Sequence, residues 1–155
     1  VTRRRLISAA GLGSLFLLIA AWGFQVAGYA PCQLCLWQRW PHVAAAVLGA
    51  AGVVFPLAPV VAFGVASALS TSGLGAYHAG VEYGWWPGPS SCAGDAGSLL
   101  GMTGDELLST EGSAGIVMCD EVVWSFLGLS MAGWNALLSL GLAAIWLAAW
   151  RVSAR

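Results

Sequence analysis

The chain has 155 residues, of which 59% are hydrophobic and only 8% charged, and its mean hydropathy is +0.79. A soluble domain carries roughly 25% charged residues, so an ordinary soluble enzyme is excluded, and a chain this apolar is not a disordered one either. A formal charge of −1, without a single lysine, excludes a nucleic-acid binder built on basic surface. What remains is a small membrane protein. At roughly 20 apolar residues per crossing, it has room for four spans and one sizeable loop.

The first apolar run extends over residues 6–27, broken only by Ser14 and Gln25. With Arg3, Arg4 and Arg5 ahead of it, a cleaved signal peptide is the alternative reading. The run is longer than an ordinary signal core of about 7–15 residues, however, and further spans follow. The second run covers residues 40–57 and the third 60–77, with Pro56 and Pro59 predicting a tight turn between them. A loop over residues 79–125 follows, and the fourth run covers 126–150. Within the loop, Thr103–Leu108 has capping-box spacing ahead of two leucines, which suits a short amphipathic helix on the membrane surface or an irregular loop equally. The predicted fold is all-α: an antiparallel bundle of four transmembrane helices, a single membrane domain, with one long periplasmic loop.

Five of the six arginines sit at the chain ends, and all seven carboxylates fall between Glu82 and Glu121. The positive-inside rule then places both termini in the cytoplasm and the acidic loop outside. Trp37, Trp40, Trp85, Trp86 and Trp124 gather at the outer boundary and Trp150 at the inner one, as an aromatic belt would.

That topology puts Cys32, Cys35, Cys92 and Cys119 all on the outer side, where thiols are not kept reduced. Four cysteines allow three pairings, of which Cys32–Cys35 with Cys92–Cys119 is the natural one. A Cys-x-x-Cys ring closes almost no chain and adds little stability, but it is a common redox-active spacing. Cys92–Cys119 closes a far longer loop, for which chain entropy allows roughly 3–4 kcal/mol. Two pairs on one face could also exchange a disulfide by thiolate attack. Arg39 is the only arginine of the outer half and comes four residues after Cys35. In a helix the two share a face, and the guanidinium there is expected to lower the thiol pKa. The plainer reading is that Arg39 snorkels to headgroups, and Pro41 weakens the same-face argument if the helix begins only there.

Pro31-Cys32-Gln33-Leu34-Cys35-Leu36-Trp37-Gln38-Arg39 resembles the Pro-Cys-x-x-Cys-x-x-(Glu/Gln)-Arg signature of the disulfide bond formation protein B (DsbB) family. Cys119, followed by Trp124-Ser125-Phe126-Leu127-Gly128-Leu129-Ser130-Met131, is similar to the family's run into its last span. Tyr77–Glu82 and Pro87–Cys92 resemble the loop entry of several members. The resemblance implies a thiol:quinone oxidoreductase of the bacterial inner membrane. Such an enzyme reoxidises a periplasmic DsbA-type thioredoxin-fold oxidase and passes the electrons to ubiquinone or menaquinone. Carried onto this chain, Cys92 receives the partner's attack, Cys119 passes the disulfide exchange to Cys32, and Cys35 faces the quinone. Arg39, Gln38 and Met131 are the implied quinone contacts, the last also explicable by packing, as is Trp134. Gln38 stands where many members carry Glu, and Ser125 where Asp often follows the Trp. His78 and His42 read first as hydrogen-bonded core residues. No metal site is expected: only one half of a four-cysteine zinc site has ligand spacing. The rival readings are a structural four-span protein braced by loop disulfides, and a quinone reductase like the vitamin K epoxide reductase group. In that group the quinone-facing Cys-x-x-Cys usually lies late in the chain.

Overall fold

A computed structural model describes residues 2–89 and 118–153. Four helices carry nearly all of it: α1 (Arg3–Val26), α2 (Gln33–Val54), α3 (Ala58–Glu82) and α4 (Met131–Ser153). A hairpin of two short strands, β1 (Ser125–Phe126) and β2 (Leu129–Ser130), precedes α4. The predicted surface helix at Thr103–Leu108 lies outside the described residues, as do Cys92 and most of the predicted loop.

The helix ends follow local chemistry. Thr2 caps α1 by accepting from the Arg5 N–H, and Cys32 caps α2, its sulfur accepting from the Cys35 N–H. Pro56 and Pro59 bracket the turn between α2 and α3, with Pro59 in the first turn of α3, where its missing N–H costs nothing. The Ser130 hydroxyl accepts from the Gly133 N–H at 3.1 Å and so starts α4.

Three of the predicted boundaries need correction. The second helix starts seven residues earlier than the predicted residue 40, at Gln33, because Cys32 supplies the cap and Pro41 is carried inside the helix. The third helix runs on past residue 77 to Glu82, so Glu82 is a helical residue and not part of the loop. The fourth begins at Met131 and not at 126, since Leu127 (φ 52°) and Gly128 (φ 79°) turn the chain into the hairpin first. Two successive left-handed residues make the two-residue turn that matches strand twist. Leucine tolerates this backbone poorly. The Trp134 indole N–H donating to the Phe126 carbonyl at 2.9 Å, and the Tyr83 hydroxyl donating to the Gly128 carbonyl at 3.3 Å, hold the hairpin down.

Contacts across the helices fix their directions. Gly52 meets Ile7, Gly49 meets Gly11, and Arg39 meets Gln25, so α1 and α2 run antiparallel. Trp146 against Gly64 and the Ser72 hydroxyl donating to the Ala136 carbonyl give the same result for α3 and α4. Each helix packs on its chain neighbour, and α1 closes the ring against α4. Ile7, Val61, Ala68, Ala143 and Trp146 fill the core at one end. Large apolar side chains such as Leu12, Phe16, Trp40, Phe63 and Leu140 point outward instead of inward. Three helices, α1, α3 and α4, are long and apolar enough to cross a membrane. At 22 residues α2 is long enough too, but Gln33, Gln38, Arg39 and His42 dilute its first turns. Gln38, Arg39 and His42 prove to line the site.

Small residues set the helix spacing. A Cβ on Gly49 would lie 2.5 Å from the Gly11 Cα, so the two backbones touch there. Gly49→Val is expected to force α1 and α2 apart at a cost of about 1–3 kcal/mol. In a thermal melt of the detergent-solubilised protein it should lower Tm by several degrees. Gly23→Ala, which meets nothing within 4 Å, should leave Tm unchanged.

Candidate functional site

At the end of the bundle where α2 begins, Cys32, Leu34, Val81 and Cys119 form a second buried cluster, with Cys35 packed against it. Three of the four predicted cysteines are therefore neighbours, although Cys119 lies some eighty residues from the other two in the chain. Cys119 is disulfide-bonded. Cys32 and Cys35 are free thiols with their sulfur atoms 3.3 Å apart, which corrects the expectation of a bridge between them. The pair is held in its reduced state, at hydrogen-bonding distance.

His78 comes in from α3, its Nε2 3.4 Å from the Cys32 sulfur and 3.9 Å from the Glu82 carboxylate. Behind it stands Gln38, whose amide N–H groups donate to the Leu34 carbonyl at 3.1 Å and to His78 Nδ1 at 2.9 Å. The Gln38 Oε1 accepts from Asn135 Nδ2 at 2.7 Å, and Asn135 also donates to Thr71 Oγ1 at 3.2 Å. Asn135 Oδ1 accepts from His42 Nε2 at 2.8 Å and from the Ser139 hydroxyl at 3.3 Å. A continuous chain of hydrogen bonds thus runs from Cys35 through Cys32, His78, Gln38 and Asn135 to His42. Three helices contribute to it.

The polarity of this chain is determined. The Leu34 carbonyl can only accept, so Gln38 must turn its NH2 that way, and His78 Nδ1 is left as an acceptor. The hydrogen of a neutral His78 then sits on Nε2, facing the Cys32 sulfur. Cys32 lies just outside α2, at its N-cap, and its thiol is pulled down from the ordinary range to about 4. The hydrogen bond shared with Cys35 is the main cause. Burial works against it, and the His78 hydrogen bond and charge, then the Cys35 backbone N–H, add to it. The Arg39 guanidinium, from which the sequence leads one to expect stabilisation of the Cys35 thiolate, donates to Gln25 Oε1 of α1 at 2.8 Å.

Beside the dithiol lies a cavity of about 410 Å³. Its wall is mostly apolar and aromatic, with Phe16 and Phe24 of α1, Trp124 and Phe126 of the hairpin region, and Met131 and Trp134 of α4. Cys35, Gln38, Arg39, His42, His78 and Asn135 supply its polar side. Arg39, Gln38 and Met131, the quinone contacts expected from the sequence, line this cavity, and Trp134 joins them. Two buried polar atoms on this wall, Arg39 Nε and His42 Nδ1, have no partner among the described residues. Asn135 and Thr71 were not read from the sequence as site residues, and Glu82 was counted only as a loop charge. A polar residue inside an otherwise apolar span was the available signal for Asn135.

Cys32, Cys35 and His78 offer three ligand atoms within 4.8 Å of one another, a set that could hold a soft metal ion. Two thiolates on one tetrahedral zinc, with bonds of about 2.3 Å, stand about 3.8 Å apart. The sulfurs here are closer than that, at 3.3 Å, which suits proton sharing and disulfide formation better.

The family model described as disulfide bond formation protein DsbB matches residues 3–149. The chain is 29% identical over 143 residues to the disulfide bond formation protein B of Dechloromonas aromatica (strain RCB), covering 86% of this chain and 84% of that protein. It is 28% identical over 151 residues to the protein of the same description from Polaromonas sp. (strain JS666 / ATCC BAA-500), covering 92% and 87%. No solved structure matches.

The thiol chemistry is directly measurable. In the reduced protein, thiolate ultraviolet absorbance from Cys32 should persist from neutral pH downward and be lost as pH falls through about 4. His78→Phe removes two of the stabilising contributions, so the midpoint should move to higher pH. An unmoved midpoint would show that His78 does not act on the sulfur.

Proposed function

The chain belongs to the DsbB family of quinone-linked thiol–disulfide oxidases of the inner membrane, and from that premise we propose that it is a thiol:quinone oxidoreductase. It would reoxidise a periplasmic DsbA-type dithiol oxidase and pass two electrons to ubiquinone or menaquinone. The observation that carries the reading is a buried dithiol, Cys32 and Cys35, on the wall of an apolar cavity whose buried Arg39 Nε has no partner.

In this reading α2 is the fourth membrane span, both termini are cytoplasmic, and the cysteines face the periplasm of a bacterial inner membrane. The partner's thiolate attacks Cys92 of a Cys92–Cys119 bridge, and Cys119 leaves as a thiolate. The partner's second thiol then resolves the mixed disulfide. Cys119, buried against Cys32, attacks the Cys32 sulfur of an oxidised Cys32–Cys35 pair and frees Cys35. Exchange back to the Cys92–Cys119 bridge leaves Cys32 and Cys35 both reduced, which is the state of this pair here. Re-forming the Cys32–Cys35 bond, with Cys32 already a thiolate, releases two electrons and the Cys35 proton, the quinol's second proton being drawn from water. A bound quinone supplies the acceptor for both, and its apolar ring suits the aromatic wall. The low pKa of Cys32 keeps that sulfur as a good leaving group and a ready nucleophile. Arg39 would donate from Nε to a ring oxygen, the kind of buried partner that this N–H lacks. A reading as a merely braced structural protein gives no use to the buried chain from Cys32 to His42.

The reaction balances as dithiol plus quinone giving disulfide plus quinol, so the test follows quinone absorbance. Purified protein in detergent, given a reduced DsbA-type partner and a short-chain quinone, should consume quinone catalytically, and Cys35→Ala should abolish this. Arg39→Gln should raise the KM for quinone about tenfold or more, since a buried charged donor is lost. Failure to consume any quinone with any such partner would overturn the proposal.

A further inference from the structure

Among the described residues, Arg39 Nε is one of two unpartnered buried polar atoms on the cavity wall; the other is His42 Nδ1. What His42 can offer is set from outside the cavity. The Thr71 backbone carbonyl lies 3.5 Å from Asn135 Nδ2, and as a carbonyl it can only accept. Thr71 Oγ1 gives its own hydrogen to the Gln38 carbonyl at 3.3 Å, so it too accepts from Asn135. Asn135 therefore presents NH2 toward Thr71 and Gln38 and its oxygen toward His42. Only a ring bearing hydrogen on Nε2 satisfies that oxygen at 2.8 Å. The remaining nitrogen of the neutral imidazole, Nδ1, is then a lone pair with nothing to accept from.

An unfilled buried acceptor on a ligand cavity selects for a ligand with a hydrogen to give. An oxidised quinone has none, because both its ring oxygens are carbonyls. The quinol has two hydroxyls, formed as the ring takes two electrons from the Cys32–Cys35 dithiol together with two protons, one from Cys35 and one from water. We propose that His42 Nδ1 is the hydroxyl-accepting contact of this cavity, recognising the reduced and not the oxidised form of the bound ring. The inference rests on the quinone reading above. Arg39, a pure donor, would hold the oxidised form, and His42, a pure acceptor, would engage once the hydroxyl exists. Such differential binding favours reduction within the site.

Two substitutions separate this role from packing. A glutamine at 42 can place an amide donor near the position of Nε2 and keep the bond to Asn135, but it offers nothing at Nδ1. An asparagine places an oxygen near Nδ1 but does not reach Asn135. Binding is read by quenching of tryptophan fluorescence with a short-chain ubiquinone in its oxidised and reduced forms. The measurements use the full chain carrying Cys35→Ala, so that no electrons are exchanged. His42→Gln should weaken binding of the quinol about tenfold, the equivalent of one good hydrogen bond, and change binding of the oxidised form by less than about twofold. His42→Asn should retain most of the quinol affinity. Loss of both forms in equal measure, or no loss of the quinol with His42→Gln, overturns the role of His42 while leaving the quinone reading intact. Absence of binding of either form to the chain with His42 in place overturns both.

Discussion

The whole site depends on a single buried amide. Gln38 is 7% exposed, and its three polar contacts reach α2, α3 and α4 at once: the Leu34 carbonyl, His78 and Asn135. Because a main-chain carbonyl cannot donate, the direction of this amide is not free, and every ring and amide bonded to it inherits a direction. His78 is obliged to turn a hydrogen to Cys32. A second carbonyl, that of Thr71, orients Asn135 in the same sense and obliges His42 to expose a lone pair. Two backbone groups thus decide which face each histidine turns outward, a donor at the sulfur and an acceptor at the cavity.

A glutamate at position 38 would break this pattern. A carboxylate offers only acceptors when ionised. It could take a hydrogen from Asn135 and from His78 Nδ1, but it would face the Leu34 carbonyl with nothing to give. A neutral His78 would then carry its hydrogen on Nδ1, leaving Nε2 a bare lone pair beside Cys32. With glutamine the histidine remains a donor to the sulfur without any formal charge at position 38. The low pKa of Cys32 thus draws on the hydrogen bond and charge of His78 as well as on the hydrogen bond shared with Cys35.

Much of this was legible in the sequence. Hydropathy gave four apolar runs because lipid-facing surface must be apolar along the full length of a helix. The Cys-x-x-Cys and Arg39 stood out because ionisable and sulfur-bearing residues are rare in such runs. The hairpin before α4 was not legible, since Phe126, Leu127 and Leu129 are as apolar as the span itself. Only the Gly128 turn separates them from it. The contact that Arg39 makes is equally hidden from the sequence. Spacing of four predicts a shared face with Cys35, but not that Gln25 of α1 lies across the gap to take the guanidinium. Asn135, Thr71 and Glu82 escaped because a long-range hydrogen bond leaves no periodic trace.

The same polar residues account for α2 being the least membrane-like helix in composition. Gln38, Arg39 and His42 are awkward in lipid, and two of them, Gln38 and His42, are buried within the bundle. What lets them stay is that the other helices supply the missing partners, and what remains unpaired opens onto one cavity. Burial of unpaired polar atoms destabilises a fold by about 1–3 kcal/mol each. Arg39 Nε and His42 Nδ1 are therefore costly in an empty protein and favourable in an occupied one. Their cost before binding would become selectivity on binding, since a ligand with an acceptor for Arg39 and a hydrogen for His42 would relieve it, while the aromatic wall suits any flat apolar body of suitable size.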